Sequence, residues 1–178
     1  MEARDIIDFW FNDLTYKDWF NKDDDLDQTI ADRFKELHQQ ASQAELFTWR
    51  ATLLGRLAEI ILLDQFSRNL YRGQARAFSQ DGMALVLAQE AIAYHDLSVL
   101  SPDQKAFIYM PLMHSESITI HERALELFAQ PGLERYLKYE QAHRDIILQF
   151  GRYPHRNQAL GRISTPREIE FMAQHPGF

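Results

Sequence analysis

The sequence predicts an all-α domain of antiparallel helix hairpins, and three observations carry that prediction. Gly and Pro are scarce, 7 and 6 in 178 residues, and fall mostly where periodic segments end. Ser101-Pro-Asp-Gln104 and Thr165-Pro-Arg-Glu168 each join an N-cap hydroxyl, a Pro at the first helical position and a side chain that can reach back to the cap. No five-residue alternation of apolar and polar residues marks a strand. The length suits one domain, residues 1–178, large enough to bury a core without staples.

In chain order, helices are expected near 2–12 and 24–43, both in the acidic first third, and then over 48–71 and 79–97. The next, 102–129, starts at the Ser101 cap and is expected to break or kink at Pro111. Helices over 132–151, a short one from about 154 to 160 opened by Pro154, and 166–174 after the Thr165 cap complete the chain. Segments of this length joined by short turns suit antiparallel pairing. No linker, low-complexity tract or fixed-period repeat stands out.

Composition excludes several functions. There is no Cys, so a disulfide scaffold, a thiolate nucleophile and Cys-ligated metal are ruled out. The start Met1-Glu-Ala-Arg-Asp5 is acidic and lacks the basic-then-apolar order of a signal peptide, and Ile60-Ile-Leu-Leu63 is too short to span a bilayer. A cytoplasmic protein without membrane association is expected. Residues 1–45 hold 12 acids and 5 bases, which accounts for the whole net charge of −7. Nucleic-acid binding is not expected, because no basic stripe with interleaved aromatics occurs. Against this background, residues 143–167 carry Arg144, Arg152, Arg156, Arg162 and Arg167 against Asp145 alone. That imbalance reads either as an anion-binding patch or as helix-end arginines with surface ion pairs.

Placing residues at about 100° per step marks the polar intruders on apolar faces. In the helix from Trp49, the face is built by Trp49, Leu53, Leu54, Leu57, Ile60 and Ile61. Asp64 falls between Leu53 and Leu57, Arg68 lies one turn on, and Gln65 sits at the margin. An acid four residues before an Arg can pair with it, either as a structural clamp or as part of a site. After Pro111, His114, Ser117 and His121 project into the arc of Met113, Ile118, Ile120, Ala124, Leu125, Leu127 and Phe128, with Glu116 at its edge. His143 points with Tyr136, Tyr139, Ala142, Ile146, Ile147 and Phe150. A lone inward His is usually a satisfied core residue, but three on adjacent helices each need partners. The segment from His143 to Asn157 then concentrates two His, three Arg, an Asp and an Asn around Gly151 and Pro154.

No motif for a metal, nucleophile or phosphate loop accompanies these groups. His114 and His121 stand two helical turns apart, roughly 10 Å in rise, too far to share an ion easily. Neither His-Glu-x-x-His nor Gly-x-Ser-x-Gly occurs, and the Gly residues are scattered. No metal and no cofactor are expected.

Short motifs along nearly the whole chain carry a resemblance. They are Asp8-Phe-Trp-Phe11, Leu63-Asp-Gln-Phe-Ser-Arg-Asn69, Phe78-Ser-Gln-Asp81, Tyr109-Met-Pro-Leu-Met-His-Ser-Glu116, His143-Arg-Asp-Ile-Ile147, Gly151-Arg-Tyr-Pro-His-Arg-Asn157 and Leu160-Gly-Arg-Ile-Ser-Thr165. Together they resemble a bacterial family known as domain of unknown function 924. Ser67 stands where that pattern has Pro, and Ser117 where it has an acid. The resemblance implies a tetratricopeptide-like right-handed superhelix of antiparallel pairs, and it implies no activity.

The expected site has three walls: Asp64, Gln65, Arg68 and Asn69; His114 and Glu116; and His143 with Arg152, His155, Arg156 and Asn157. One reading is a binding module for a small anionic molecule or an acidic peptide end, with Arg68, Arg152 and Arg156 as clamps. A helix start at Pro154 would add backbone N–H donors to it. A second reading is a metal-independent enzyme with a His as general acid or base, oriented by Asp64 or Glu116, and arginines stabilising negative charge. In a third, these groups only lock a helical scaffold together. Oligomeric state is not legible.

Overall fold

The computed structural model describes residues 1–176, and within them every regular element is helical. Helix α1 (Ala3–Asp8) runs into a π-helical turn at Phe9–Asp13, followed by the short α2 (Tyr16–Phe20) and the long α3 (Asp24–Ser42). A 3-10 turn at Phe47–Ala51 leads to α4 (Leu53–Ile61), a second π-helical turn at Leu62–Phe66 and α5 (Ser67–Leu70). Beyond a 3-10 turn at Ala75–Phe78 come α6 (Asp81–Tyr94), α7 (Pro102–Met113), α8 (Ile118–Phe128) and α9 (Glu134–Phe150). A 3-10 turn at Pro154–Arg156 and α10 (Pro166–Gln174) close the chain.

Both capping boxes read from the sequence form: Ser101 with Gln104 and Thr165 with Glu168 exchange side-chain and backbone hydrogen bonds. Gly151 ends α9 at φ +69°, a left-handed conformation that a Cβ would penalise, with its N–H 2.8 Å from the Ile147 carbonyl.

Four local differences from the sequence reading have physical causes. Helix α2 was not expected; its Thr15–Asp18 capping box sustains only five residues. The predicted 48–71 helix is broken, because Thr52 is extended (ψ 151°) and caps α4 anew through a bond from Gly55 N–H. That break shifts the helical phase, and Leu54, expected inside, is 39% exposed. Pro111 lies within α7, which continues to Met113, and the interruption falls at His114–Ser117, where Ser115 N–H turns onto Leu112 O. The short helix expected over 154–160 is only a three-residue 3-10 turn, so it provides no helix N-terminus for an anion.

The core is aromatic. Phe9 packs at a tilt on Phe34 (4.8 Å between centroids) and Phe34 on Phe66 (5.2 Å), and Trp10 meets both Phe66 and Phe107 at 5.5 Å. Phe66 thereby bolts the π-helical turn that carries Asp64 and Gln65 into the centre. Helix α1 packs on α4, α3 on α5 and the Leu62–Phe66 turn, and α4 on α6 and α7. From α6 to α9 each helix packs on the next. A smaller cluster of Ile146, Ile147 and Tyr153 joins α9 to the turn after Gly151. Tyr139, expected on the core face, is 47% exposed and lies parallel to the ring of Phe20 instead.

Candidate functional site

The site grows from the π-helical turn after α4. Asp64 is fully buried there, and its Oδ1 lies 2.7 Å from His114 Nδ1 at the end of α7. Its Oδ2 accepts from Gln65 Nε2 at 2.6 Å, and Arg68 Nη1 stands 3.3 Å from Oδ1. Burial alone would raise this carboxyl, but His114 and the permanently charged Arg68 outweigh it and hold it below the usual carboxylate range. His114 is displaced downward, first by its own burial and then by repulsion from Arg68, with Asp64 opposing. The ring is therefore neutral at neutral pH. With Asp64 ionised, the Nδ1–H donates to it, which leaves Nε2 as an acceptor; no hydrogen bond among the described residues falls on that atom.

Arg68 also forms a bidentate pair with Asp81 at the start of α6, at 2.9 and 3.1 Å. Arg156, from the turn after Gly151, reaches the same carboxylate at 3.1 Å and donates to the His114 carbonyl at 2.9 Å. Its guanidinium lies between the rings of Phe78 and Tyr153, 4.7 and 4.6 Å from their centroids. Two arginines thus share one carboxylate. Burial, and next the charge of Arg68, depress Arg156 below its ordinary value, and Asp81 only partly offsets them.

These groups surround open space. A cavity of about 250 Å³ is lined by Arg68, Phe78, His114, His143, Tyr153, His155 and Arg156. A second, of about 300 Å³, shares Phe78, His114 and Arg156 with it and adds Asp81, Ser115 and Glu116 among others. A third, of about 310 Å³, shares Arg68 and His114 and adds Gln65, Asn69, Trp19 and Met110 among others. His114 lines all three. His143 Nδ1–H donates to the Tyr139 carbonyl (2.8 Å), and burial pushes the ring down to about 3, so this ring too is neutral.

Seven residues expected from the sequence thus gather around one place: Asp64, Gln65, Arg68, His114, His143, His155 and Arg156. Others are drawn off. Asn69 lines the third cavity but donates to Asp27 Oδ1 at 2.7 Å. Glu116 lines the second cavity, yet both its oxygens are taken by Arg162 at 2.7 and 2.9 Å, and Oε1 also accepts Tyr153 N–H. Asn157 is buried and holds Arg162 and Ser164, so it secures the turn without reaching a cavity. Arg152 departs most from the three-wall arrangement. It forms a bidentate pair with Glu168 and donates to Ile163 O, lining a separate 670 Å³ cavity with Phe150 and Arg167. Glycine-allowed reversal at Gly151 turns it away from the face that Arg156 occupies.

The three walls expected from the sequence do not include Asp81, Phe78, Tyr153 or Arg162. An acid in the first turn of a helix is ordinary, so Asp81 carried no separate signal. The inward His121 is fully buried against Glu140 (2.7 Å) and the Ser115 carbonyl (2.8 Å), holding α8 to α9. Among the described residues no group of three His, Asp or Glu is placed to hold a metal ion. No helix of these residues is long and apolar enough to cross a membrane.

Comparison with known proteins meets the resemblance read from the motifs. The family described as "Bacterial protein of unknown function (DUF924)" matches residues 6–176. The chain belongs to this family. It is also similar to a solved protein of unknown function from Agrobacterium tumefaciens, at 40% identity over 97% of each chain with a TM-score of 0.91. No curated protein matches. The family carries no assigned activity, so chemistry has to be argued from the site itself.

Proposed function

We propose that this family member binds a small anionic molecule, carboxylate- or phosphate-bearing, in the cavity between Arg68, His114 and Arg156. The observation that carries the reading is the position of Arg156, which has no carboxylate of its own and uses Asp81, already held by Arg68, whose other partner is Asp64. This guanidinium is largely removed from water, faces a second one, and shares a single carboxylate with it. An anion in the adjoining cavity would relieve that repulsion with charge-assisted bonds. His114 Nε2 beside it favours a ligand that also donates a proton. At about 250 Å³ the space suits a metabolite-sized group. The same reading takes the protein as cytoplasmic and its helix pairs as a tetratricopeptide-like superhelix. Calorimetric screening of carboxylates and phosphates tests it: a binder lost in Arg156→Ala is expected, and a broad panel with no binder would refute it.

One observation favours a second reading, in which the site is a metal-independent enzyme. Asp64 fixes His114 in the tautomer a general base needs, with Nε2 turned to open space beside two cations that could stabilise an oxyanion. Deuterium exchange at the carbon next to the carboxylate of a bound ligand, abolished by His114→Gln, would distinguish catalysis from capture.

A further inference from the structure

A further polar cavity lies near Ser67, the residue that follows the Leu62–Phe66 turn. It occupies about 320 Å³ between α3 and the segment after α5, with His38 and Lys35 on one side and Tyr71 and Arg76 on the other. His38 is only 3% exposed. Its Nε2 lies 2.8 Å from Ser67 Oγ, and Ser67 Oγ gives its single proton to the Leu63 carbonyl. The serine can then only accept, so His38 Nε2 must carry the proton. Nδ1 is left as a lone pair, buried and without a hydrogen-bond partner among the described residues.

An orphaned buried acceptor costs stability unless something completes it. The cavity's other groups say what could do so. Arg76 lies over the Tyr71 ring at 4.1 Å and donates to its hydroxyl at 3.1 Å. Neither Arg76 nor Lys35 pairs with a carboxylate among the described residues. Two unpaired cations and one neutral acceptor ask for a ligand with negative oxygens and an O–H donor on the same small frame.

We propose that the His38 cavity is a second ligand site, for a small hydroxylated anion whose hydroxyl donates to His38 Nδ1 while its charge meets Arg76 and Lys35. A 2-hydroxycarboxylate and hydrogen phosphate share this chemistry. The site is built from other residues than the one at Arg156, although Arg76 and Phe78 share the Ala75–Phe78 turn.

The test is an NMR titration of the His38 imidazole nitrogens in the full chain at constant neutral pH, with lactate, propionate and phosphate as probes. Lactate and propionate differ by the hydroxyl alone. Lactate should shift the Nδ1 signal at least threefold more tightly than propionate does, and a parallel response to phosphate would identify hydrogen phosphate as the other source. Arg76→Gln, at an exposed position, should weaken the response about tenfold, whereas Arg156→Lys should leave it unchanged. Equal binding of lactate and propionate, no movement of Nδ1 with any probe, or a response lost in Arg156→Lys and kept in Arg76→Gln would each overturn the proposal. Those outcomes can be told apart from failure of the Arg156 site, which Arg76→Gln does not touch.

Discussion

Arg156 reaches back 75 residues to Asp81, its Nη1 3.1 Å from an Oδ2 that also accepts from Arg68. This contact ties the turn after α9 to the start of α6, and it sets the balance of charge beside the cavity. Asp81 is the internal competitor of any bound anion. Neutralising it should make the protein less stable and more receptive together.

Asp81→Asn is therefore expected to lower stability by about 2 kcal/mol, since two guanidinium groups lose a shared carboxylate that retains some solvent contact. Sulfate or phosphate should restore more stability to this variant than to the wild type, with an affinity gain of about tenfold. Thermal melts over a series of sulfate concentrations check both. Equal stabilisation of the two proteins would show that the arginines do not compete for anions.

Asp64→Ala should cost about 3 kcal/mol in urea unfolding, because Arg68 and His114 lose a fully buried partner. The carboxyl is lowered in the fold, so its contribution is complete above the unfolded value of about 3.9 and is lost only as pH falls through the lower folded value. Between pH 5 and 8 the difference between variant and wild type should accordingly stay flat on this carboxyl's account.

Acid sensitivity at milder pH should come from the histidines. Burial, and next Arg76, lower His38 to about 4, against an unfolded value near 6.5. The unfolded chain binds the extra proton in that window, so stability rises with pH from about 4 to 6.5 and is lost as pH falls back through it. The contribution is on the order of 3 kcal/mol, and His143, pushed down to about 3, adds in the same direction. His38→Gln should flatten the slope of unfolding free energy against pH in this window; an unchanged slope would contradict the neutral buried ring.

Arg162→Ala should loosen the turn without emptying the cavity's other walls. Arg162 joins Glu116, the Tyr153 carbonyl and Asn157. Amide exchange at Arg156 and Asn157 should quicken by about tenfold or more, while the amides of α4 hold their protection. Uniform protection across the turn would show that Tyr153 alone anchors it.

The parts legible in the sequence are those whose cause is local. Ser101 and Thr165 announce their helices because a capping box needs only four consecutive residues. Asp64, Arg68 and His114 were visible because a charged or polar group on an apolar face must find a buried partner, and they found each other. Asp81 was not assigned to the site, since an acid in a helix's first turn has an ordinary local explanation, and Arg162 stood out only as one of five arginines in the 143–167 patch. Arg152 and Arg156 look alike in sequence, four residues apart. Only the reversal at Gly151 and the packing of Tyr153 on Ile146 and Ile147 decide which of them faces Arg68. The break after Pro111 was misplaced by a few residues because α7 is buried from Ala106 to Met113, and that packing carries it past the proline.

The contrast between those two arginines gives the most direct measurement. Calorimetric titration of the tightest carboxylate or phosphate binder should be run on the wild type, Arg156→Lys and Arg152→Lys. Lysine keeps the charge but cannot span Asp81 and the His114 carbonyl, so Arg156→Lys should weaken binding about tenfold or more. Arg152, occupied by Glu168 on another face, should leave the affinity unchanged when substituted. Equal loss in both variants, or loss in Arg152→Lys alone, would contradict an anion site between Arg68, His114 and Arg156.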